Sequence, residues 1–485
     1  MVEEKTALEC TGWLHPLADC VTRQPALCLC LSCYWFWQLF YFQSPASFAE
    51  AGGALTVDGR LVLLLSSCAA YAIAWWQHRR LAAVAAKPWY PWLVGIAMAG
   101  GTLLQGMAPW LPSSGVGNVM LCAGSGAMGV GAALFIVELS RVFAQLGSRF
   151  ALLAGVVGLF GCTVPFFLAT VMSDVGKGLL LAGAAVGSLV AWRATMRQFP
   201  RGRFYRWGLE TKLHIPLKLT LTCFAQGLAL GIMTSFLTLK SSGALHPVVY
   251  VAAFAVGALV VLGTADALRL DFNHLLYQVG FPLMGLGFLM QVCFPASIDA
   301  AGFMFSVAHC YVYILMTCIC SYFSNCLKCS PAWIVSLITL AMVGGQMTGT
   351  IGVDVGAAVL GPSATDASSA AASLAFLLPT AALLLLSSDN TASGWGAIRP
   401  AERAGDRGDA ALFAKIASDY QLTVREREIC EYLSRGRNKR YISEQLGVAE
   451  ETVKTHMGNL YRKLLVHSQQ EIIDLVEAER SAWGR

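Results

Sequence analysis

The chain has 485 residues, 56% of them hydrophobic and only 13% charged, against roughly 25% charged in an ordinary soluble domain. Its mean hydropathy is +0.59 and apolar stretches recur from Ala26 to Ser387, which excludes a purely soluble protein and points to one embedded in a membrane. The net charge of +5 says little by itself; where the charges fall says more.

A spanning helix needs about 20 largely apolar residues. About twelve stretches meet that need: Ala26–Phe42, Leu61–Trp76, Pro91–Trp110, Asn118–Leu139, Phe150–Met172, Gly178–Trp192, Pro216–Leu239, Pro247–Leu268, His274–Phe294, Ala301–Phe323, Trp333–Leu360 and Ala367–Leu386. They do not alternate apolar with polar residues as barrel strands would, and lipid leaves no partner for open backbone, so helices are expected. Acidic residues near the N-terminus and the lack of a signal-cleavage pattern predict that the first stretch is retained as a span. The sixteen cysteines fall mostly singly within apolar stretches, where Cys acts as a small hydrophobe, and no disulfide framework is read from them.

Basic residues orient the spans. With the N-terminus inside, inner loops carry Arg79, Arg80, Lys87, Arg141, Arg149, Arg269 and Lys328, and the central one carries Arg193, Arg197, Arg201, Arg203, Arg206 and Lys212. Outer loops hold only Arg60, Lys177 and Lys240. This predicts a bacterial inner (plasma) membrane protein with both termini in the cytoplasm. Five polar residues fall inside spans, Gln226, Gln291, His309, Gln346 and Asp354; such groups are either satisfied by a neighbouring helix or functional. Cys326-Leu327-Lys328-Cys329 is a two-residue-spaced cysteine pair, the spacing of a redox or metal site. Zinc needs four ligands and no second pair lies near, so no metal and no cofactor is assigned.

Six spans, a long basic loop and six more spans resemble the layout of the major facilitator superfamily. The family's acidic loop pattern after the second span is missing: that loop reads His78-Arg79-Arg80-Leu81-Ala82-Ala83. An unrelated polytopic sensor fold is the alternative.

After Ser387 the chain turns polar, with Gly394, Gly396, Pro400, Gly405 and Gly408. Three domains follow: a membrane domain over 1–387, a linker over 388–417 and a small domain over 418–485. About 25 flexible residues span roughly 25–30 Å. A short lead-in helix is expected near Ala410–Ser418, then four helices. Thr423 and Glu426 form a capping box for the first, which Gly436 ends; the second covers Lys439–Leu446, with Gly447 as the turn. The third covers Glu450–Leu464 with Val453, Leu460 and Leu464 inward; Ser468 and Glu471 cap the fourth, with the apolar stripe Ile472, Leu475 and Val476.

Leu422-Thr423-Val424-Arg425-Glu426-Arg427-Glu428-Ile429, then Thr452-Val453-Lys454-Thr455-His456, then Lys463-Leu464 with Val466 and Ser468, are spaced without a gap as in the LuxR-type (GerE-type) transcriptional regulators, which this region resembles over about an eighth of the chain. The fold expected is therefore all-α, about twelve transmembrane helices followed by a small four-helix LuxR-type helix-turn-helix domain. The resemblance implies binding to double-stranded DNA, with Thr452, Lys454, Thr455 and His456 at the start of the helix that enters the major groove. Lys454 suits a guanine edge or a phosphate and Thr455 a base or thymine methyl; Arg462, Lys463, Lys439 and Arg440 suit phosphates. Departures from the family are Ala449 at a capping position, Leu465 in place of a Gly, and Gly458 on the outward face. The apolar stripe of the fourth helix predicts a homodimer on DNA. No phosphoacceptor domain, ATPase motif or catalytic constellation is read, so no enzyme activity is expected. The expected function is a membrane-bound one-component regulator answering an unidentified small-molecule signal, with membrane lipid as its other partner; a transporter with a regulatory or degenerate tail is the alternative.

Overall fold

A computed structural model describes residues 14–43, 58–108, 115–199, 201–209, 217–240, 247–268, 270–272, 274–294, 298–326, 329–360, 373, 377, 412–413, 415–434, 438–446 and 449–483. The described residues are almost all helical, with no strand among them. The chain divides into two compact units, Met1–Ala401 and Glu402–Arg485.

The first unit contains α1 (Leu14–Arg23), α2 (Pro25–Gln43), α3 (Gly59–Trp76), α4 (His78–Ala85), α5 (Tyr90–Met107), α6 (Gly115–Leu146), α7 (Ser148–Val171), α8 (Asp174–Met196) and α9 (Arg201–Arg206). There follow α10 (Leu217–Lys240), α11 (Pro247–Val261), α12 (Phe281–Cys293), α13 (Ile298–Cys326) and α14 (Pro331–Leu360). The π-helical turns Leu262–Ala267 and His274–Gly280 extend α11 and precede α12. Capping residues open two of the spans: Asp58 accepts from the Arg60 amide at 2.8 Å, and Ser173 from the Gly176 amide at 3.3 Å.

Ten of the described helices are long and apolar enough to cross a membrane. The sequence reading expected about twelve. Helix α5, which covers the expected stretch from Pro91, is not among these ten; Tyr90, Pro91, Trp92 and Gln105 interrupt its apolar run. It is still integral to the bundle, lying against α6 and α8. The twelfth expected stretch, Ala367–Leu386, lies outside the described residues apart from helical positions at Ser373 and Leu377.

Lipid supplies no hydrophobic drive between helices, so close backbone packing has to hold the bundle together. The tightest seam joins α10 and α14. A Cβ added at Gly227 or Gly231 would overlap the carbonyl oxygens of Met342 and Gln346, and one added at Gly345 or Gly349 would overlap those of Phe224 and Leu228. Each helix thus offers a glycine pair four residues apart to the backbone of the other. At the α5–α6 crossing, a Cβ on Gly101 would stand 2.7 Å from the Gly124 carbonyl oxygen. Helices α2, α3, α5, α6, α7 and α8 form one half of the bundle and α10 to α14 the other; α3 meets α14, and α7 meets both α11 and α13.

Arg141, expected in a loop, is a correction. It lies inside the 32-residue α6, fully buried, with its Nε 3.1 Å from Glu138 Oε1. The apolar stretch ended at Leu139 in the sequence because Arg141 follows it, but i,i+3 pairing with Glu138 lets the helix carry both charges inward. Of the polar residues expected within spans, Gln346 is satisfied, donating to the Phe42 carbonyl at 2.9 Å. The amides of Gln226 and Gln291 and the His309 Nδ1 have no described protein partner, and His309 stacks on Tyr313 with ring centroids 6.0 Å apart. Asp354 is exposed near the end of α14.

Candidate nucleic-acid interface

The second unit has its own apolar core, built from Leu412, Phe413 and Ile416 of a lead-in helical segment and from four helices: α15 (Val424–Ser434), α16 (Lys439–Leu446), α17 (Glu450–Leu464) and α18 (Gln469–Trp483). Three of the four helix starts are capped by local side chains. Thr423 Oγ1 accepts from the Glu426 amide at 3.3 Å while Glu426 Oε2 accepts from the Thr423 amide at 2.8 Å, a reciprocal capping box. Asn438 Oδ1 accepts from the Tyr441 amide at 2.9 Å. The Glu471 amide donates to Ser468 Oγ at 3.2 Å; the His467 amide donates to Glu471 Oε2 and the Ser468 hydroxyl to Glu471 Oε1, both at 2.9 Å, and these last two bonds hold the Glu471 carboxyl below its ordinary pKa. The turns expected at Gly436 and Gly447 lie outside the described residues.

Helix α17 has two faces. Val453, Leu460 and Leu464 are buried, fixing its rotation about its own axis. That rotation turns Glu451, Thr452, Lys454, Thr455, Gly458 and Arg462 outward, all exposed, with His456 half-buried beside them. Lys454 is 67% exposed and only loosely paired with Glu451 at 3.5 Å. Thr455 Oγ1 bonds back to the Glu451 carbonyl at 2.9 Å, which leaves its methyl free to meet an apolar edge. Arg462 donates to Asn459 Oδ1 at 3.0 Å, a contact the sequence reading did not include. Nothing lies within 4 Å of a Cβ placed on Gly458, so the middle of this face is bare backbone. Lys439 stands 3.5 Å from Glu450 and ties α16 to the start of α17; Arg440 beside it is exposed. Ala449 gives α17 no side-chain cap, and Leu465 ends it in the left-handed region at φ 54 with its side chain 82% exposed.

Two expected roles meet other contacts here. Lys463 was grouped with the phosphate contacts, but its Nζ lies 2.7 Å from Glu426 Oε2 and 2.9 Å from the Gln421 carbonyl, holding α17 onto the start of α15. Burial alone would raise the Glu426 pKa; the Lys463 ammonium and the Thr423 amide and hydroxyl outweigh it and hold the carboxyl below its ordinary range. This contact spans 37 residues, and no short motif announces it. The stripe Ile472, Leu475 and Val476 was expected to face a second subunit. Ile472 and Val476 are instead buried in the core of their own domain, and Leu475 lies partly buried against the same core. A three-residue stripe on a helix that must also close a small core is used up by that core.

Of the cysteine pair, Cys329 is fully buried, which pushes its thiol up to about 12, away from thiolate reactivity; the Cys326 side chain lies outside the described residues. Among the described residues, no three His, Cys, Asp or Glu side chains gather as a metal site would require.

Comparison with known proteins agrees with this geometry. Residues 420–476 match the family described as bacterial regulatory proteins, luxR family (GerE). A 62-residue stretch, 13% of this chain, is 40% identical to the uncharacterized response regulatory protein YgeK of Escherichia coli (strain K12); it spans 42% of that relative's length. The crystal structure of the human organic anion transporter MFSD10 (TETRAN) superimposes with a TM-score of 0.50 at 14% identity, over 76% of this chain and 99% of that one. That likeness is one of fold alone, and it covers the layout read from the spans. Residues 420–476 are a helix-turn-helix domain of the luxR family, carried on a multi-span helical region with a transporter-like fold.

Proposed function

We propose that the protein is a membrane-bound one-component transcription regulator: the domain 418–485 binds duplex DNA, the region 1–387 senses a small-molecule signal, and 388–417 tethers the two. The observation that carries this reading is the outward face of α17, where Thr452, Lys454 and Thr455 stand exposed at the start of the helix. The N-terminal half of that helix enters the major groove in helix-turn-helix domains. Lys454 reads a base edge, Thr455 a base or thymine methyl, and Arg462, Lys439 and Arg440 meet phosphates, with His456 at the margin. The basic bias of one set of loops supports both termini lying in the cytoplasm of a bacterial cell and residence in its inner membrane. The domain binds as a homodimer through a surface other than Ile472 and Val476. The segment after α3, basic and without an acidic residue, favours sensing over a transport cycle.

The test is selection of duplex sequences by the full-length protein in lipid nanodiscs, followed by binding to the selected site. Lys454→Ala is expected to weaken specific binding by about 1–3 kcal/mol while leaving nonspecific binding nearly unchanged. An unaltered footprint in that variant removes Lys454 from the readout, and failure to enrich any sequence overturns the proposed function.

A further inference from the structure

Helices α2, α6, α13 and α14 line a partly open cleft. It lies toward the ends of these helices that border α4 and Cys329, since its lining falls late in α6 and α13 and early in α2 and α14. Its walls are apolar and partly aromatic, among them Trp35, Leu139, Phe143, Met316 and Ile338. None of its lining residues is charged. Three of its hydroxyls are already engaged with backbone: Ser140 donates to the Val137 carbonyl at 2.6 Å, Thr317 to Tyr313 at 3.1 Å and Ser321 to Phe143 at 2.8 Å. The hydroxyls of Tyr313 and Thr339, also in the lining, have no hydrogen bond to the described protein. Tyr313 is held in place by edge-on packing with Trp35, ring centroids 6.0 Å apart, and by stacking with His309.

We propose that this cleft binds the signal of the membrane region, and that the signal is an uncharged, largely apolar ring compound carrying one or two hydrogen-bonding groups that meet Tyr313 and Thr339. The chemistry selects against ions: a carboxylate or ammonium would surrender its hydration and find no opposite charge in the wall. Three aromatic rings and two free hydroxyls accept a flat apolar body with a polar edge. Calling the occupant the signal rests on the regulator reading above; the occupancy and its charge preference do not.

Equilibrium dialysis tests it with full-length protein in nanodiscs and radiolabelled 2-naphthol, empty nanodiscs correcting for partition into lipid. One saturable site per chain is expected, displaced by unlabelled 2-naphthol but not by 2-naphthoate or 2-naphthylmethylamine, both charged at neutral pH. Thr339→Val removes one hydroxyl at nearly constant volume and is expected to weaken binding about fivefold. Leu139→Trp fills the cleft and is expected to abolish the saturable component. Equal displacement by either charged analogue overturns the proposal, as does binding unchanged in both variants or the lack of any saturable site. One phospholipid per wild-type chain, absent from Leu139→Trp, would give the cleft to an acyl chain and overturn it too. Should Leu139→Trp fail to elute as a single species, Thr339→Val decides. DNA binding measured on the same nanodiscs separates the two readings: naphthol binding without DNA binding overturns the regulator and leaves the cleft assigned, and DNA binding without naphthol binding does the reverse.

Discussion

Replacing Lys463 with Met separates a structural lysine from a phosphate-binding one. The Lys463 ammonium bonds to Glu426, whose side chain is only 4% exposed, and to the Gln421 carbonyl. A hydrogen bond to a charged partner contributes about 1.5–3 kcal/mol, and breaking a fully buried pair costs about 3–5 kcal/mol. Two features reduce the figure here: Lys463 is 30% exposed, so solvent screens the pair, and Glu426 keeps its bonds to Thr423. The expected loss is about 2 kcal/mol, or about 10 °C in the midpoint of thermal unfolding for a domain of this size. Urea unfolding of the compact unit 402–485, with Glu426→Gln and the double variant closing a thermodynamic cycle, measures the coupling directly. DNA binding across a salt series runs in parallel. If Lys463 is structural, Lys463→Met keeps the salt slope of the parent, whereas Arg462→Ala lowers it by about 1. Unchanged stability together with a lowered slope in Lys463→Met would refute the argument and return Lys463 to the phosphate contacts.

Because the folded-state pKa of Glu426 is depressed, its stabilising contribution is present above the unfolded value of about 4.3 and is lost as pH falls through the lower folded value. The tail is therefore expected to lose stability below about pH 4 more steeply than Glu426→Gln, and parallel acid unfolding curves would contradict this. Leu465→Gly is expected to raise stability by about 1 kcal/mol, since it relieves a left-handed backbone and removes only a solvent-exposed side chain; a loss in chemical denaturation would show that Leu465 has a partner. Gly231→Leu or Gly345→Leu is expected to break the α10–α14 seam and leave the detergent-solubilised protein aggregated, with Gly344→Leu, whose Cβ meets nothing, as the tolerated control; size-exclusion profiles report the result.

Most of the membrane region was legible because its signal is additive: each helix needs only a sufficient run of apolar residues. The reading faltered where a local exception occurred. Arg141 looked like a loop residue because its pairing with Glu138 inside a bundle leaves no trace in hydropathy. In the tail, the caps at Thr423 and Ser468 and the inward face of α17 were readable, since both are local patterns. The roles of Lys463, Ile472 and Val476 were not, because each depends on which distant element claims the side chain first. An exposed cation and a buried apolar residue are distinguishable by type; a cation that locks two helices together is not distinguishable from one that awaits a phosphate.

The glycine seam between α10 and α14 has a mechanical consequence. Two helices joined backbone to backbone behave as one beam, far stiffer against bending than either alone. Arg60 of α3 grips both at one station, through Thr234 of α10 and Thr350 of α14. Thr339, in the wall of the cleft, sits eleven residues back along α14, about 16 Å away at 1.5 Å per residue. The seam and the clasp lie in the same stretch of α14, so bending there is resisted by two helices and by α3 together.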